Sequence, residues 1–189
     1  MGRAKLNKKL KEEIKRIKQF YKEDSTLKSI YHFLTNHPNI VIKKAVICAK
    51  KYKFYKKNNH KIKNKLMMII CGIKNNYYSN KYNMELYGEF GENLKIYHKN
   101  IVINDKAILG KNIILHGNNC IGNNGKTEKC PVIGDGVDVG YGAVIIGNVE
   151  IANNIKIGAN SVVTKSFMEE GITIAGVPAK KICTGDKKC

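Results

Sequence analysis

The chain has no CxxC pair, no apolar run of membrane length, and almost no acid in its first half. Its six cysteines (Cys48, Cys71, Cys120, Cys130, Cys183, Cys189) are scattered. They lack metal-finger or dithiol spacing and read as free thiols of a reducing compartment. The longest uninterrupted apolar stretch, Leu66–Cys71, is far short of the roughly 20 residues of a membrane span. The N-terminus lacks an apolar signal core before a small-residue cleavage site. A soluble, cytoplasmic protein is expected, one still able to lie on a surface.

The shortage of acid is local. Residues 1–84 carry 22 Lys+Arg against 4 Asp+Glu, and residues 85–189 carry 12 against 11, so nearly all of the net charge of +19 sits in the first half. A nucleic-acid partner is normally announced by a motif as well as by charge, and none accompanies these lysines. Solvated helix surface is therefore favoured over a polyanion site. Peripheral contact with an anionic membrane is the remaining use of such a region. The abundance of Asn and Ile fits coding biased toward Lys, Asn and Ile codons.

At 189 residues the chain holds one ordinary domain, or a small domain joined to a longer one. In the first half Leu6, Leu10, Ile14, Ile17 and Tyr21 recur at steps of three and four, the spacing of one helical face. Ser25 can cap a second helix carrying Leu27, Ile30, Tyr31 and Leu34, and His37-Pro38 ends it or begins the next. Ile40 to Tyr55 and Lys61 to Ile73 read as two more helices around a KKNNHK loop. Their apolar stripes read as core or subunit contact.

Beyond Glu85 the period becomes six. Every sixth residue from Tyr97 gives Tyr97, Ile103, Leu109, Leu115, Ile121, Thr127, Ile133, Val139, Ile145, Ile151, Ile157 and Val163, of which eleven are apolar or aromatic, where chance gives about five. A small residue often follows, as in Gly110, Gly134, Gly140 and Gly158, where it lets the chain bend tightly. A second apolar set lies four residues on: Ile101, Ala107, Ile113, Val137, Ala143, Val149 and Ile155. Such a period predicts stacked six-residue units, each a short parallel strand and a turn, with the period residue inward. The segment GNNGKTEKCPV lacks strand character, yet the period resumes in phase, so it reads as an excursion from a rigid scaffold, where function tends to sit.

HKNIVINDKAILGKNIIL, CPVIGDGVDVGYGAVIIGNVEI, IGANSVVTKSF and AGVPAKKI, in this order between about Glu85 and Ile182, resemble the hexapeptide-repeat acyltransferases, in particular the serine acetyltransferase group and its relatives in polysaccharide gene clusters. The resemblance implies a left-handed parallel β-helix of hexapeptide repeats at 85–182; with the helical periodicity of the first half this gives an α+β chain of a basic helical region at 1–84, the β-helix, and a tail at 183–189. It also implies acetyl-CoA as co-substrate, and homotrimers or dimers of trimers with sites between subunits.

Moving an acetyl group from a thioester to a hydroxyl needs a base, a donor for the oxyanion and a groove for the donor substrate. His98 fills the place of the family's catalytic histidine, and neutral imidazole suits a base at neutral pH. By the six-residue count Tyr97 is an inward rung with His98 at the corner beside it, and His116 is the equivalent of His98 one coil on. Glu85 is the nearest match to the carboxylate that orients the imidazole. Serine-specific relatives carry aspartate where this chain has Tyr97, and a histidine where it has Cys130, so Tyr97, His116 and Cys130 become the acceptor-binding candidates. For acetyl-CoA the resemblance points to Gly142, Ala143, Ala159, Asn160 and Pro178, with Lys165, Lys180 and Lys181 as partners for its phosphates.

The expected function is an acetyl-CoA-dependent O-acetyltransferase acting on L-serine. A sugar hydroxyl in capsule or surface-glycan assembly is the competing acceptor. A non-catalytic solenoid whose basic half docks on a membrane or nucleic acid is the competing class. A metal site is the weakest reading, since His98, His116, Cys120 and Cys130 lack paired ligand spacing.

Overall fold

The computed structural model describes residues 3–22 and 37–184. The chain divides into two compact units, Met1–Met84 and Glu85–Cys189. Three helices are described in the first: α1 (Arg3–Phe20), α2 (Pro38–Lys57) and α3 (Ile62–Tyr82). The helix expected from Ser25 lies outside the described residues. Pro38 opens α2 at its first position, and the His37 ring accepts from the Asn39 N–H at 3.4 Å. The missing proline donor is harmless there because first-turn N–H groups have no helical partner. α3 runs nine residues past the expected Ile73 and ends at Asn83, whose φ of +50 suits a helix stop.

The α2–α3 packing is made by small residues on α3, where Cys71, Asn75 and Ser79 are buried at steps of four. A Cβ on Gly72 would come to 3.3 Å from the Tyr52 ring. The large apolar residues of α3 face the other way: Ile62, Leu66, Ile69, Ile73 and Tyr77 are all exposed. α1 buries Ile17, the turn after it buries Tyr21, and Glu13 of α1 pairs with Lys50 of α2 at 2.6 Å, both side chains about nine-tenths buried.

The second unit is the parallel β-helix that the six-residue period predicts, about five turns with three faces. Sheet A is β1 (Met84–Leu86), β4 (Ile101–Ile103), β7 (Cys120–Gly122), β10 (Val144–Ile146) and β13 (Val162–Val163). Sheet B is β2 (Glu89–Phe90), β5 (Ile108–Leu109), β8 (Val132–Ile133) and β11 (Glu150–Ile151). Sheet C is β3 (Lys95–Ile96), β6 (Ile114–Leu115), β9 (Asp138–Val139), β12 (Lys156–Ile157), β14 (Ile172–Gly176) and β15 (Ala179–Thr184). From β2 onward the described pairs are parallel except β14 with β15, an antiparallel hairpin that ends the stack. Apart from Tyr97 and Thr127, which are exposed, both sets form the core, from Ile101 and Ile103 at 0 % exposure to Val149 at 3 %.

The register corrects one expectation. Tyr97 is exposed, and the inward rung is Ile96, which pairs with Leu115 and is fully buried. Successive coils are offset by 18 residues at Ile103↔Ile121 and Ile145↔Val163, but by 19 at Ile96↔Leu115. The extra residue lies in the corner 97–100 and pushes Tyr97 and His98 outward. Isoleucine loses nothing inside, whereas a buried phenol needs a partner for its hydroxyl. By this register Tyr97 is level with His116, and His98 with Gly117. The excursion adds a whole repeat: Ile121↔Ile145 and Leu109↔Ile133 are offset by 24, which is why the phase survives.

Three further readings change. Asn93, Asn100, Asn112, Asn118, Asn154 and Asn160 sit at φ of 52–62, alternating with glycines such as Gly136 and Gly142 in the left-handed turn slot. Asparagine tolerates that conformation better than other side chains, so its abundance in this half is structural and not only a matter of coding. The glycines after inward rungs serve close approach more than bending. A Cβ on Gly134 or Gly140 would lie under 3 Å from the backbone of the next coil. Among the cysteines, Cys48, Cys71, Cys120 and Cys130 are free as expected, but Cys183 is disulfide-bonded. Bridging depends on Cα separation in space, which sequence spacing without a CxxC pair does not report.

Candidate active site

The edge where sheet C turns into sheet A gathers most of the candidates into one column. Hydrogen bonds from Tyr97 N to Leu115 O, His116 N to Val139 O, Gly142 N to Gly117 O, Asn160 N to Tyr141 O and Gly158 N to Ile174 O tie five levels together at 2.8–3.0 Å. Read along the edge, the levels carry Tyr97-His98, His116-Gly117, Tyr141-Gly142, Ala159-Asn160 and the tip of the β14–β15 hairpin.

Gly117 shapes the first three levels. Its φ is +122, and a Cβ there would lie 2.5 Å from the His98 Cβ and 3.2 Å from the Tyr141 ring. With no side chain at that level, the His98 and Tyr141 rings meet across it, edge to face, with centroids 6.1 Å apart. Beneath the corner, Asn119 is 1 % exposed at a position that other repeats fill with Ile, Val or Ala, or with Ser161. Its oxygen accepts from Gly117 N at 2.9 Å and its amide donates to Gly140 O at 2.8 Å. A buried amide with satisfied partners fixes the backbone that carries His116 and Gly117.

Beside His98 stands a second constellation. His116 Nε2 lies 2.9 Å from Asp138 Oδ1, and the Tyr97 ring lies over His116 at 5.3 Å and 38°. A carboxylate on one ring nitrogen fixes an imidazole's orientation and leaves the other nitrogen for a ligand. Tyr97, His98, His116 and Tyr141 thus form a solvent-facing cluster of two imidazoles and two phenol rings.

Farther along, Ala159 and Asn160 are exposed, Ala143 is buried and offers only backbone, and Pro178 is exposed at the hairpin tip. The tip continues the same edge, since Ala175 packs over Gly158 and Gly176 N donates to the Ser161 hydroxyl at 3.2 Å. Lys180 is exposed opposite Ala175, and Lys181 is paired with Glu169 at 2.6 Å.

Three candidates stand elsewhere. Glu85 lines a cleft of about 490 Å³ on the outer face of sheet A, with Tyr87, Val102, Asp105 and Cys120. His98 is not in that lining. Burial, and then the Glu85 charge, push the Cys120 thiol up. Cys130 is buried at the edge between sheets A and B, donating to Glu128 O at 3.7 Å, and burial followed by the Asp105 charge raises its pKa. Lys106 pairs with Glu128 and pins the excursion at that edge. Lys165 lies over the Phe167 ring at 5.4 Å on the same side.

Gly117, Asp138 and Tyr141 are not among the residues that sequence reasoning singles out. The signal for them is the coil offset: 24 residues separate Gly117 from Tyr141, a number legible only once the excursion is known to add a full repeat.

No family model matches the chain. Over 93 residues it is 36 % identical to a serine acetyltransferase of Staphylococcus aureus (strain N315), covering 48 % of this chain and 43 % of that one. The chain thus spans less than half the length of the curated relatives it matches. Serine acetyltransferase from Neisseria gonorrhoeae superposes with a TM-score of 0.64 at 25 % identity, over 98 % of this chain and 69 % of that one. A serine acetyltransferase in complex with CoA superposes with a TM-score of 0.56 at 25 % identity, over 74 % and 57 % of the two chains.

Proposed function

We propose that this protein is an acetyl-CoA-dependent O-acetyltransferase of the serine acetyltransferase type, with His98 as general base and the L-serine hydroxyl as acceptor. The observation that carries the reading is the single edge on which the exposed His98 imidazole is followed by the levels His116-Gly117 and Tyr141-Gly142, then by the exposed Ala159-Asn160 and a terminal hairpin. Five levels at the usual strand spacing give about 19 Å of edge, a track suited to an extended pantetheine arm. The likeness to serine acetyltransferases, one of them solved with CoA, supports the same assignment.

In this mechanism His98 accepts the hydroxyl proton as the acceptor oxygen attacks the thioester carbonyl. The tetrahedral oxyanion collapses, the C–S bond breaks, and the imidazolium returns its proton to the departing CoA thiolate. Gly142, Ala159 and Asn160 present backbone and small side chains to the arm, while Lys180 supplies positive charge for its phosphates. Tyr97 and His116 face the acceptor. Assembly as a homotrimer or dimer of trimers and a cytoplasmic location belong to the same proposal. Among the described residues no helix is long and apolar enough to cross a membrane, and none form a cluster of three metal-ligating side chains.

A sugar hydroxyl is the second reading, favoured by Tyr97, whose exposed ring offers a flat apolar face beside His98. Measuring CoA release with L-serine against a panel of nucleotide sugars separates the two. Release with L-serine supports the first reading, release with a sugar alone supports the second, and release with neither removes the assignment.

A further inference from the structure

The exposed face of α3 is independent of the acetyl-transfer chemistry. Ile62 (86 % exposed), Leu66 (56 %), Ile69 (54 %), Ile73 (66 %) and Tyr77 (49 %) recur at steps of four, three, four and four and form one unbroken stripe along the helix. At about 1.5 Å per residue the 21-residue helix is about 31 Å long. At 100° per residue, Lys63, Lys74 and Lys81 flank the stripe on one side and Lys65 on the other. Lys81 also holds the end of the stripe, with Nζ 2.9 Å from the Tyr77 hydroxyl. Next to it, between α2 and α3, Ile47, Met67 and Ile70 floor a groove of about 370 Å³ rimmed by Lys44, Lys51 and Lys74.

We propose that α3 lies in the plane of an anionic lipid bilayer, with the Ile62–Tyr77 stripe among the acyl chains and the flanking lysines on the headgroups. Charge identifies this occupant. Residues 38–84 contain twelve lysines and not one aspartate or glutamate. A second copy of this surface would bring lysines against lysines with no carboxylate from α2 or α3 between them. Nucleic acid would satisfy the lysines but leave the five apolar side chains in water. A bilayer with anionic headgroups satisfies both, as interfacial amphipathic helices do. Tyr77 has the apolar body and polar tip favoured at headgroup depth.

The test uses the full chain and a reporter that the sequence makes clean. The protein contains no tryptophan, so Ile73→Trp provides a single indole on the stripe. With phosphatidylcholine vesicles containing phosphatidylglycerol, at physiological salt, the protein is expected to float with the vesicles and the indole emission to shift to the blue. Binding should fall about tenfold or more on phosphatidylcholine alone, and likewise in Lys63→Glu/Lys65→Glu/Lys74→Glu. Leu66→Asp and Ile69→Asp, both at exposed positions, should abolish flotation while helix content by circular dichroism is unchanged. The proposal is overturned if no vesicle binds, or if flotation occurs without the blue shift. It is equally overturned if duplex DNA or RNA shifts the indole as vesicles do, or if Leu66→Asp lowers the oligomeric mass while flotation persists, which would make the stripe a contact between copies.

Discussion

His98 and Tyr141 stand two coils apart, yet their rings meet at 6.1 Å and 78° because the residue between them is Gly117. The candidate base therefore takes its position from a missing side chain on one coil and an aromatic edge on the next.

Gly117→Ala tests that arrangement. Its Cβ would lie 2.5 Å from that of His98, at a φ of +122 that an alanine rarely adopts, and backbone strain of this kind costs about 1–3 kcal/mol. Turnover should fall more than about tenfold and Tm should drop. Gly125→Ala has a φ of +74 but open space around it, so thermal melts and initial rates should show a small loss of stability and an unchanged rate.

Tyr97, His116 and Asp138 should govern the acceptor and not the donor. The His116–Asp138 pair is 43 % and 36 % exposed, so Asp138→Asn should cost less than about 1 kcal/mol of stability. Losing the carboxylate frees the imidazole to turn. Steady-state kinetics should show a higher acceptor KM in Asp138→Asn and Tyr97→Ala, with the acetyl-CoA KM unchanged.

The α2–α3 interface should weaken in alkali. Burial, and then the neighbouring Cys71, push the Cys48 thiol up to about 11 from 9.0. A group held protonated by folding contributes stability that is complete below its unfolded pKa and is lost as pH rises through the folded one. Urea midpoints should therefore decline between about pH 9 and pH 11, and Cys48→Ala should flatten that decline. Iodoacetamide at pH 8 should leave Cys48 unmodified until the protein unfolds.

Much of the β-helix is legible in the sequence because its physics repeats: each rung must be apolar, and rungs recur at a fixed count. The six-residue period alone places the inward rungs from Ile103 to Val163, with Thr127 in the excursion as the exception. It misplaces Tyr97, since a one-residue insertion at a corner leaves no local mark, although Phe90 and Ile96 are themselves six apart and already point to the other phase. Gly142, Ala159 and Asn160 stand on one edge with His98, and their role there belongs to the proposal. Cys130 and Lys165, singled out by the resemblance, stand on another edge, because a motif match names a residue without saying which edge of the coil carries it. The face of α3 is hidden from the sequence for a different reason. Periodicity shows that a stripe exists but not which side is packed, and here small polar residues make the contact while isoleucines face out.

The central claim rests on His98, and the presence of a second, carboxylate-bound imidazole at His116 makes the decisive comparison available within one edge. Rates of CoA release from acetyl-CoA with the identified acceptor should be measured for the unaltered protein, His98→Ala and His116→Ala. The account predicts a fall in kcat of about a hundredfold or more for His98→Ala, and for His116→Ala a raised acceptor KM with kcat within a few-fold. An unchanged kcat in His98→Ala, or the large loss falling on His116→Ala instead, would contradict it.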